Sequence, residues 1–350
     1  MNLRLRIYNL RKAISYRYLI PFFRKSRFLS NLYYAFISNA FGREHQRVLN
    51  GIYLHRKLLK RGTNVFHFRR QIHRLEKGLI MKEVRDLFAL DYIGETVKTY
   101  NLLCEKYSVD QQIDKDLLVW SSSVLHKYFN IVGYHPKVEE AKSSFYEKKH
   151  KVNITYSIDN HIPYEHNRIN PITISYDQFY NLTVKRRSVR WYMDKKVSRE
   201  KIEKAVLAAS MSPSACNRQP FEFRIFDDEE KKNLIGSLSI GIKEFYKNIP
   251  VLIAIVGKLS AYTDERDRHV IYIDGGLAAM SFMLALETLG LSSVPINWPD
   301  IEKIEYKMEK ALNLDIDERP ILLIGIGYAD SEGRIPYSQK KSFVQLSRYN

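Results

Sequence analysis

Two runs, Val251–Val256 and Ile321–Ile326, are apolar at every position except Gly325. Runs of this kind read as strands buried in a sheet, with no wet face to give them a period of two. Between them, Ile271–Leu289 is almost wholly apolar after Asp274 and ends at Gly290. That pattern predicts a central helix with a glycine stop. Around these elements the periodicity is amphipathic. Phe221–Phe226 alternates and reads as a strand with one wet face. Ser198 reads as the cap of a helix whose Ile202, Val206 and Ala209 face inward, with Glu200 near its positive end. Ile301, Ile304, Met308 and Leu312 mark another helix, and Tyr176, Phe179, Tyr180 and Val184 mark a third. No internal repeat is visible. From Ser175 onward the chain therefore reads as an α+β domain.

Charge divides the chain differently. Residues 1–80 hold 18 Lys/Arg and two acids, Glu44 and Glu76, while the remaining 270 residues are within one charge of neutral. A cationic head of this kind seeks a polyanion: a membrane surface, nucleic acid or an anionic substrate. No recognised nucleic-acid-binding module is present, so nucleic acid is not expected. Between Arg27 and Arg43 lies an uncharged stretch rich in Tyr and Phe. Two readings stand for residues 1–60: a basic, aromatic helix lying on an anionic membrane surface, or a helix packed on the body with its arginines in water. No motif of the candidate site precedes Arg186, so removal of residues 1–60 is expected to leave that site intact.

Residues 61–150 read as helical, with Leu87, Leu90, Ile93, Val97 and Leu102 at helical spacing and Leu117, Leu118, Val124, Leu125 and Tyr128 following. The stretch Arg70–Gly78 reads as a solvated helix end stopped by Gly78. Residues 151–174 carry Pro163, Pro171 and several Asn and read as a linker or surface strap. His161, Glu165 and His166 lie close together there, but Pro163 breaks any helix that would align them, and no metal site is expected. The division is thus a basic head over 1–60, a helical extension and linker over 61–174, and an α+β domain over 175–350. Two cysteines, Cys104 and Cys216, are too few for a disulfide framework and fit a reducing cytoplasm. No secretory signal is read at the N-terminus, and no run is expected to cross a bilayer.

Two clusters carry chemistry. One is Lys185-Arg186-Arg187-Ser188-Val189-Arg190; the other is Ser212-Pro213-Ser214-Ala215-Cys216-Asn217-Arg218-Gln219-Pro220. A run of bases alone is a solvated surface, and Ser-Pro-Ser with Asn-x-Gln-Pro alone is turn chemistry. Their order, and a third and fourth element, raise both. Asp274-Gly275-Gly276 opens the apolar helix, Leu289-Gly290-Leu291 closes it, and Lys340-Lys341 follows near the C-terminus. In these motifs, over about residues 175–345, the chain resembles the nitroreductase family of FMN-dependent oxidoreductases. The run His73–Gly78 is similar to one in long nitroreductase-like proteins linked to bacterial surface polysaccharides.

The resemblance implies a three-layer α/β/α domain around a mixed, mainly antiparallel sheet, preceded here by a mainly helical N-terminal region. It implies FMN as cofactor, with Arg186, Arg187 and Ser188 toward the phosphate and ribityl end and Lys340 and Lys341 closing over the phosphate. Guanidinium and hydroxyl donors suit a phosphate because the bonds are charge-assisted and can be bidentate. Arg190 is expected near the flavin N1 and O2 edge. Pro213, Ser214, Ala215, Asn217 and Gln219 are expected to line the flavin from a partner subunit, which implies a homodimer with shared sites. Pro295, Ile296 and Asn297 match the stretch whose backbone N–H, at Asn297, approaches N5. Trp298 departs from the common pattern and is read either as narrowing the pocket or as core. Cys216 has no neighbouring base and is taken as a small buried residue.

The resulting expectation is a cytoplasmic enzyme, with residues 1–60 a possible contact to the inner membrane face. Hydride passes from NADH or NADPH through FMN to a small-molecule acceptor, by a ping-pong cycle with no obligatory protein acid or base. No Gly-x-Gly-x-x-Gly fingerprint calls for a separate nicotinamide domain. Two rivals remain: a membrane-docked dehydrogenase or reductase of envelope polysaccharide synthesis, and a non-catalytic binding protein with the same fold.

Overall fold

The computed structural model describes residue 10 and residues 13–110, 114–149 and 161–349. Its centre is a four-stranded sheet in the order β1-β2-β4-β3, formed by β1 (Phe221–Phe226), β2 (Val251–Lys258), β3 (Ser292–Asn297) and β4 (Glu318–Gly327). All three pairings are antiparallel, and among the described residues the one parallel pairing is an isolated bridge between Ser188 and Ser293 beside β3. The apolar run in β2 serves both faces. Val251, Ile253 and Ile255 face one core, while Leu252, Ala254 and Val256 face another.

Helices close both sides, so the layers are α/β/α. Before the α+β domain the described residues form seven α-helices: α1 (Ile20–Phe23), α2 (Arg27–Phe36), α3 (Gly42–Lys60), α4 (Val65–Leu79), α5 (Ile93–Asp110), α6 (Lys115–Ile131) and α7 (Pro136–Lys149). Within the α+β domain come α8 (Tyr176–Lys185), α9 (Arg199–Ser210), α10 (Glu229–Leu238), α11 (Val270–Thr288), α12 (Glu302–Leu312) and α13 (Phe343–Leu346). α11 and α9 pack Ala278, Phe282, Leu286, Ile202 and Ala205 on one face of the sheet. On the other face, α10 and α12 pack Ile235, Met308 and Leu312. Contrary to expectation, α11 with the turn before it, Glu265–Thr288, is long and apolar enough to cross a bilayer. Its burial against β2 and β4 makes it the core helix of this domain.

The helical extension has its own core, in which Phe68, Ile72 and Leu75 of α4 meet Tyr100 and Leu103 of α5, Leu118, Leu125, Tyr128 and Phe129 of α6 and Phe145 of α7. Two expectations change here. Leu87 and Leu90 lie in the loop before α5, not on a helix. Gly78 sits inside α4, and a Cβ there would lie 2.3 Å from the Phe88 ring, so this glycine is a close-packing position rather than a stop. α4 is therefore an internal element, not a solvated end. Of the expected linker, residues 151–160 lie outside the described residues; 161–174 runs extended over the surface around a single 3-10 turn, His166–Arg168.

The basic head is two things. α3 is welded to the α+β domain: Val48 joins Leu259, Ala261, Tyr262 and Ile271 in a buried cluster. A Cβ on Gly51 would lie 2.7 Å from Leu259, so only glycine lets the helix approach this closely. Arg43 and Arg47 reach Glu309 at 2.8 and 2.5 Å, and Arg47 also donates to the Asp315 carbonyl. The arginine face thus turns inward, because it meets a carboxylate and a carbonyl there. In residues 13–37 no residue is fully buried, and Phe28 and Phe36 are 70% and 82% exposed. Cutting after residue 60 would strip α3 from the core, so the head cannot be removed as one piece.

Candidate functional site

Arg186 begins where α8 ends, its N–H closing the helix on the Leu182 carbonyl. The chain then runs beside β3: the Val189 N–H donates to the Ser293 carbonyl, and Ser188 bridges Ser293. Tyr192 fixes the far end. Its hydroxyl donates to the carbonyls of Val189 and Gly325, while its backbone is bracketed by the Asn248 amide at 2.7 and 3.1 Å. The result is a half-buried shelf bearing Arg186, Arg187, Ser188 and Arg190.

The shelf is electrostatically unsatisfied. Among the described residues no carboxylate lies within ion-pair distance of Arg186, Arg187 or Arg190. Arg187 and Arg190 make only long bonds, to the Arg186 and Ser188 carbonyls at 3.4 and 3.3 Å. The Arg186 Nε is buried with no hydrogen-bond partner. Buried donors without acceptors are costly, and a donor set of this kind suits an anion. Glu287 stands nearby but out of contact; burial raises its pKa, the Lys185 and Arg186 charges opposing.

The second cluster, residues 213–220, lies before β1 and against the first turns of α11. The Asp274 carboxylate accepts the Ala215 N–H at 3.2 Å and the Tyr262 hydroxyl at 3.1 Å. Burial raises the pKa of Asp274, while these bonds and the Arg218 charge act the other way. Ser214 Oγ accepts the Gln219 N–H, and the Gln219 side-chain amide donates to Asn217 Oδ1, both at 3.0 Å. Cys216, Asn217 and Gln219 all sit at positive φ, between 51° and 54°. For a side chain other than glycine this region costs about 1–2 kcal/mol per residue, so the loop is held rather than relaxed. Cys216 is half-buried, not buried as expected.

Pro295 and Asn297 are exposed on β3 with Ile296 buried between them, two to four positions beyond the shelf's partner Ser293. One chain thus brings Arg186–Arg190 and Pro295–Asn297 together. It does not bring the loop to them. The loop meets Asp274 at one end of α11, and Arg186 stands near Glu287 at the other. At 1.5 Å per residue these ends are about 20 Å apart. Lys340 and Lys341 lie exposed in the C-terminal segment and, among the described residues, their side chains form no hydrogen bond or ion pair with the shelf. Trp298 is 6% exposed and donates its Nε1–H to Glu305. It is a core residue of the sheet's second face, not a wall of the site, because its indole finds a buried carboxylate there.

Sequence reasoning missed Tyr192 and Asn248, which fasten the shelf, and Arg69 of α4, whose Nε donates to the Asn217 carbonyl at 3.1 Å. Such bonds end on backbone atoms, which carry no residue-type signature. The segment Arg69-Arg70 in an amphipathic helix was the only available hint.

The nitroreductase family model matches residues 183–244 and 238–328, spans that contain both clusters. A protein of Archaeoglobus fulgidus named as an NADH dehydrogenase/NAD(P)H nitroreductase is 32% identical over 152 residues, 42% of this chain and 83% of the relative. Iodotyrosine deiodinase 1 of Sus scrofa is 25% identical over 243 residues, 60% of this chain and 80% of the relative. The iodotyrosine deiodinase of Thermotoga neapolitana is 29% identical over 195 residues, 49% of this chain and 97% of the relative. With the shelf, the loop and the three-layer domain in the family's order, the chain belongs to the nitroreductase family of oxidoreductases.

Proposed function

We propose that this protein is an FMN-dependent oxidoreductase drawing on NADH or NADPH, and that it works as a homodimer. The observation that carries the reading is the unpaired shelf of Arg186, Arg187 and Arg190 with its orphaned Arg186 Nε. That donor set fits a dianionic phosphate. Arg186, Arg187 and Ser188 would hold the phosphate and ribityl end, and Arg190 would set a positive charge by the N1 and O2 edge of the ring. Pro295, Ile296 and Asn297 would offer backbone at the N5 side. When bound, FMN supplies two-electron hydride chemistry between a nicotinamide and a small-molecule acceptor.

The separation of shelf and loop along α11 supports a site completed by a second copy, whose Pro213, Ser214, Ala215, Asn217 and Gln219 would close it. α11 also leaves Ile273, Leu277 and Met280 exposed at helical spacing, beside the exposed Tyr176, Phe179, Tyr180 and Val184 of α8. A stripe of this kind is a self-association face. The C-terminal segment with Lys340, Lys341, Phe343 and Val344 is free to reach the partner. The relatives named as nitroreductase and deiodinase make nitroaromatics and halogenated phenols the acceptors to assay first.

Copurification of FMN, and its release in the Arg186→Ala/Lys341→Ala double variant, test the reading. Each lost charge-assisted contact is worth about 1.5–3 kcal/mol. Full flavin occupancy in that variant at micromolar protein would refute the shelf as the phosphate site.

One further feature favours a membrane contact. Residues 13–37 carry Arg17, Arg24, Lys25 and Arg27, no acid, and exposed Ile14, Tyr16, Tyr18, Phe22, Phe28 and Phe36. This pairing of cations with aromatic rings suits the interface of an anionic bilayer.

A further inference from the structure

The loop at 213–220 holds three left-handed residues in a span of four, and such backbone persists only where its surroundings over-determine it. Asp274 fixes Ala215, while Ser214 and Gln219 tie the loop to itself. The remaining tie comes from outside the family's segment. Arg69 on α4 donates its Nε–H to the carbonyl of Asn217, and its guanidinium lies 5.5 Å from the ring centroid of Trp120 on α6. No carboxylate pairs with Arg69 among the described residues. Burial depresses its pKa, with only the Asp114 charge opposing. A desolvated guanidinium with no counter-ion is expensive, and this one spends its Nε donor on the loop.

Both neighbours of that bond are rigid. α4 is anchored by Phe68, Ile72 and Leu75 in the extension's core. Arg218, next to Asn217, is 8% exposed, donates to the Ala215 carbonyl and lies over the Tyr262 ring at 4.8 Å. The Asn217 carbonyl is therefore pinned between two fixed bodies.

We propose that Arg69 is a positioning residue for the cofactor loop, so that the helical extension sets how Asn217 and Gln219 are presented. The inference rests on the reading of that loop as FMN-lining. Without the bond, the backbone at Asn217 is free to leave the left-handed region, and only a fraction of molecules holds the loop ready. Apparent affinity falls by that fraction.

Three measurements on the full chain test this: FMN titration of apoprotein by flavin fluorescence, amide hydrogen exchange across 214–219 without ligand, and thermal unfolding. Arg69→Ala should weaken FMN binding about tenfold, the effect of a loop ready about one-tenth of the time, and should speed exchange in the loop. Arg69→Met, which has no N–H to donate and keeps much of the packing, should do the same and serves if the alanine variant does not fold. Arg69→Gln, whose amide nitrogen stands where the Arg Nε stood and still donates, should recover binding to within about threefold of wild type. Arg47→Ala, on the same inter-region contact but away from the loop, should lower the melting temperature and leave FMN affinity unchanged. Wild-type affinity and loop exchange in Arg69→Met, with or without a lower melting temperature, would overturn the proposal. Faster loop exchange in that variant, in a protein whose wild type binds no FMN, would uphold the clamp and refute the flavin reading instead.

Discussion

The two halves of the basic N-terminal region have similar composition and opposite fates. In α3 and α4, Arg43, Arg47 and Arg69 turn inward onto Glu309, the Asp315 carbonyl and the Asn217 carbonyl. In residues 13–37, Arg17, Arg24, Lys25 and Arg27 form no ion pair among the described residues, and Tyr18 and Phe22 between them stay exposed. Charge does not separate the halves; apolar spacing does. Phe68, Ile72 and Leu75 on α4, and Val48 and Gly51 on α3, give each helix a stripe that fits a neighbour. The rings of residues 13–37 pack on each other, as Phe22 on Phe23 and Phe23 on Tyr33, and Tyr34 meets Phe41 at the start of α3. A basic head is thus a compositional label that covers both a structural brace and a free surface.

Truncation should expose that contrast most strongly. Deleting residues 1–37 should leave a folded protein with its melting temperature nearly unchanged and FMN retained. Deleting residues 1–60 removes Val48, the His55 bond to the Ser260 carbonyl and both arginine contacts to Glu309. Losing one buried side chain costs about 2–5 kcal/mol, so losing this set should bring the protein to aggregation. Differential scanning calorimetry and size-exclusion chromatography of both truncations decide it. Equal stability of the two would show that α3 is not a brace.

What was legible in the sequence follows from what kind of signal each part leaves. The runs Val251–Val256 and Ile321–Ile326 became β2 and most of β4 because continuous burial leaves no polar positions. The first residues of β4 were not legible: Glu318 and Arg319 are buried charges, answered by Arg224, Lys258 and Asp300 from other segments. Gly78 misled because a glycine needed for contact with a ring looks the same as one that ends a helix. Arg186 to Arg190, by contrast, stood out as a motif, since three arginines and a serine lie within five positions. Arg69 could not, because its partner is a carbonyl 148 residues away.

A smaller effect lies where the brace meets the loop. His55 and His67 stand 6.0 Å apart between α3 and α4. Burial, then the neighbouring His55, Arg70, Arg218 and Arg74, holds His67 at a pKa of about 4. Folding therefore favours the neutral ring, and the unfolded chain takes up a proton first, near pH 6.5. Stability should fall as pH drops from about 6.5 toward 4, by about 1–2 kcal/mol once the ring's partial exposure is allowed for. His67→Gln should flatten that part of the melting-temperature profile relative to wild type. Parallel profiles across the window would mean that His67 is not held neutral by this contact.

The smallest effect on stability should come from the free half. Phe28 and Phe36 on α2 are mostly in water, and surface substitutions away from packed features usually change stability by no more than about 0.5 kcal/mol. Phe28→Ser/Phe36→Ser should therefore melt within a degree or two of wild type, as should Arg24→Gln/Arg27→Gln. The two variants should differ on vesicles containing anionic lipid. Removing two cations should cost about 1 kcal/mol for each charge near the surface, and the loss should shrink as added salt shortens the screening length. Removing two rings takes away insertion, which salt does not screen, so that loss should persist at high salt. Co-sedimentation across a salt series, with neutral-lipid vesicles as control, separates the two terms. If intact protein stays in the supernatant with anionic vesicles at low salt, the exposed half is not a lipid contact.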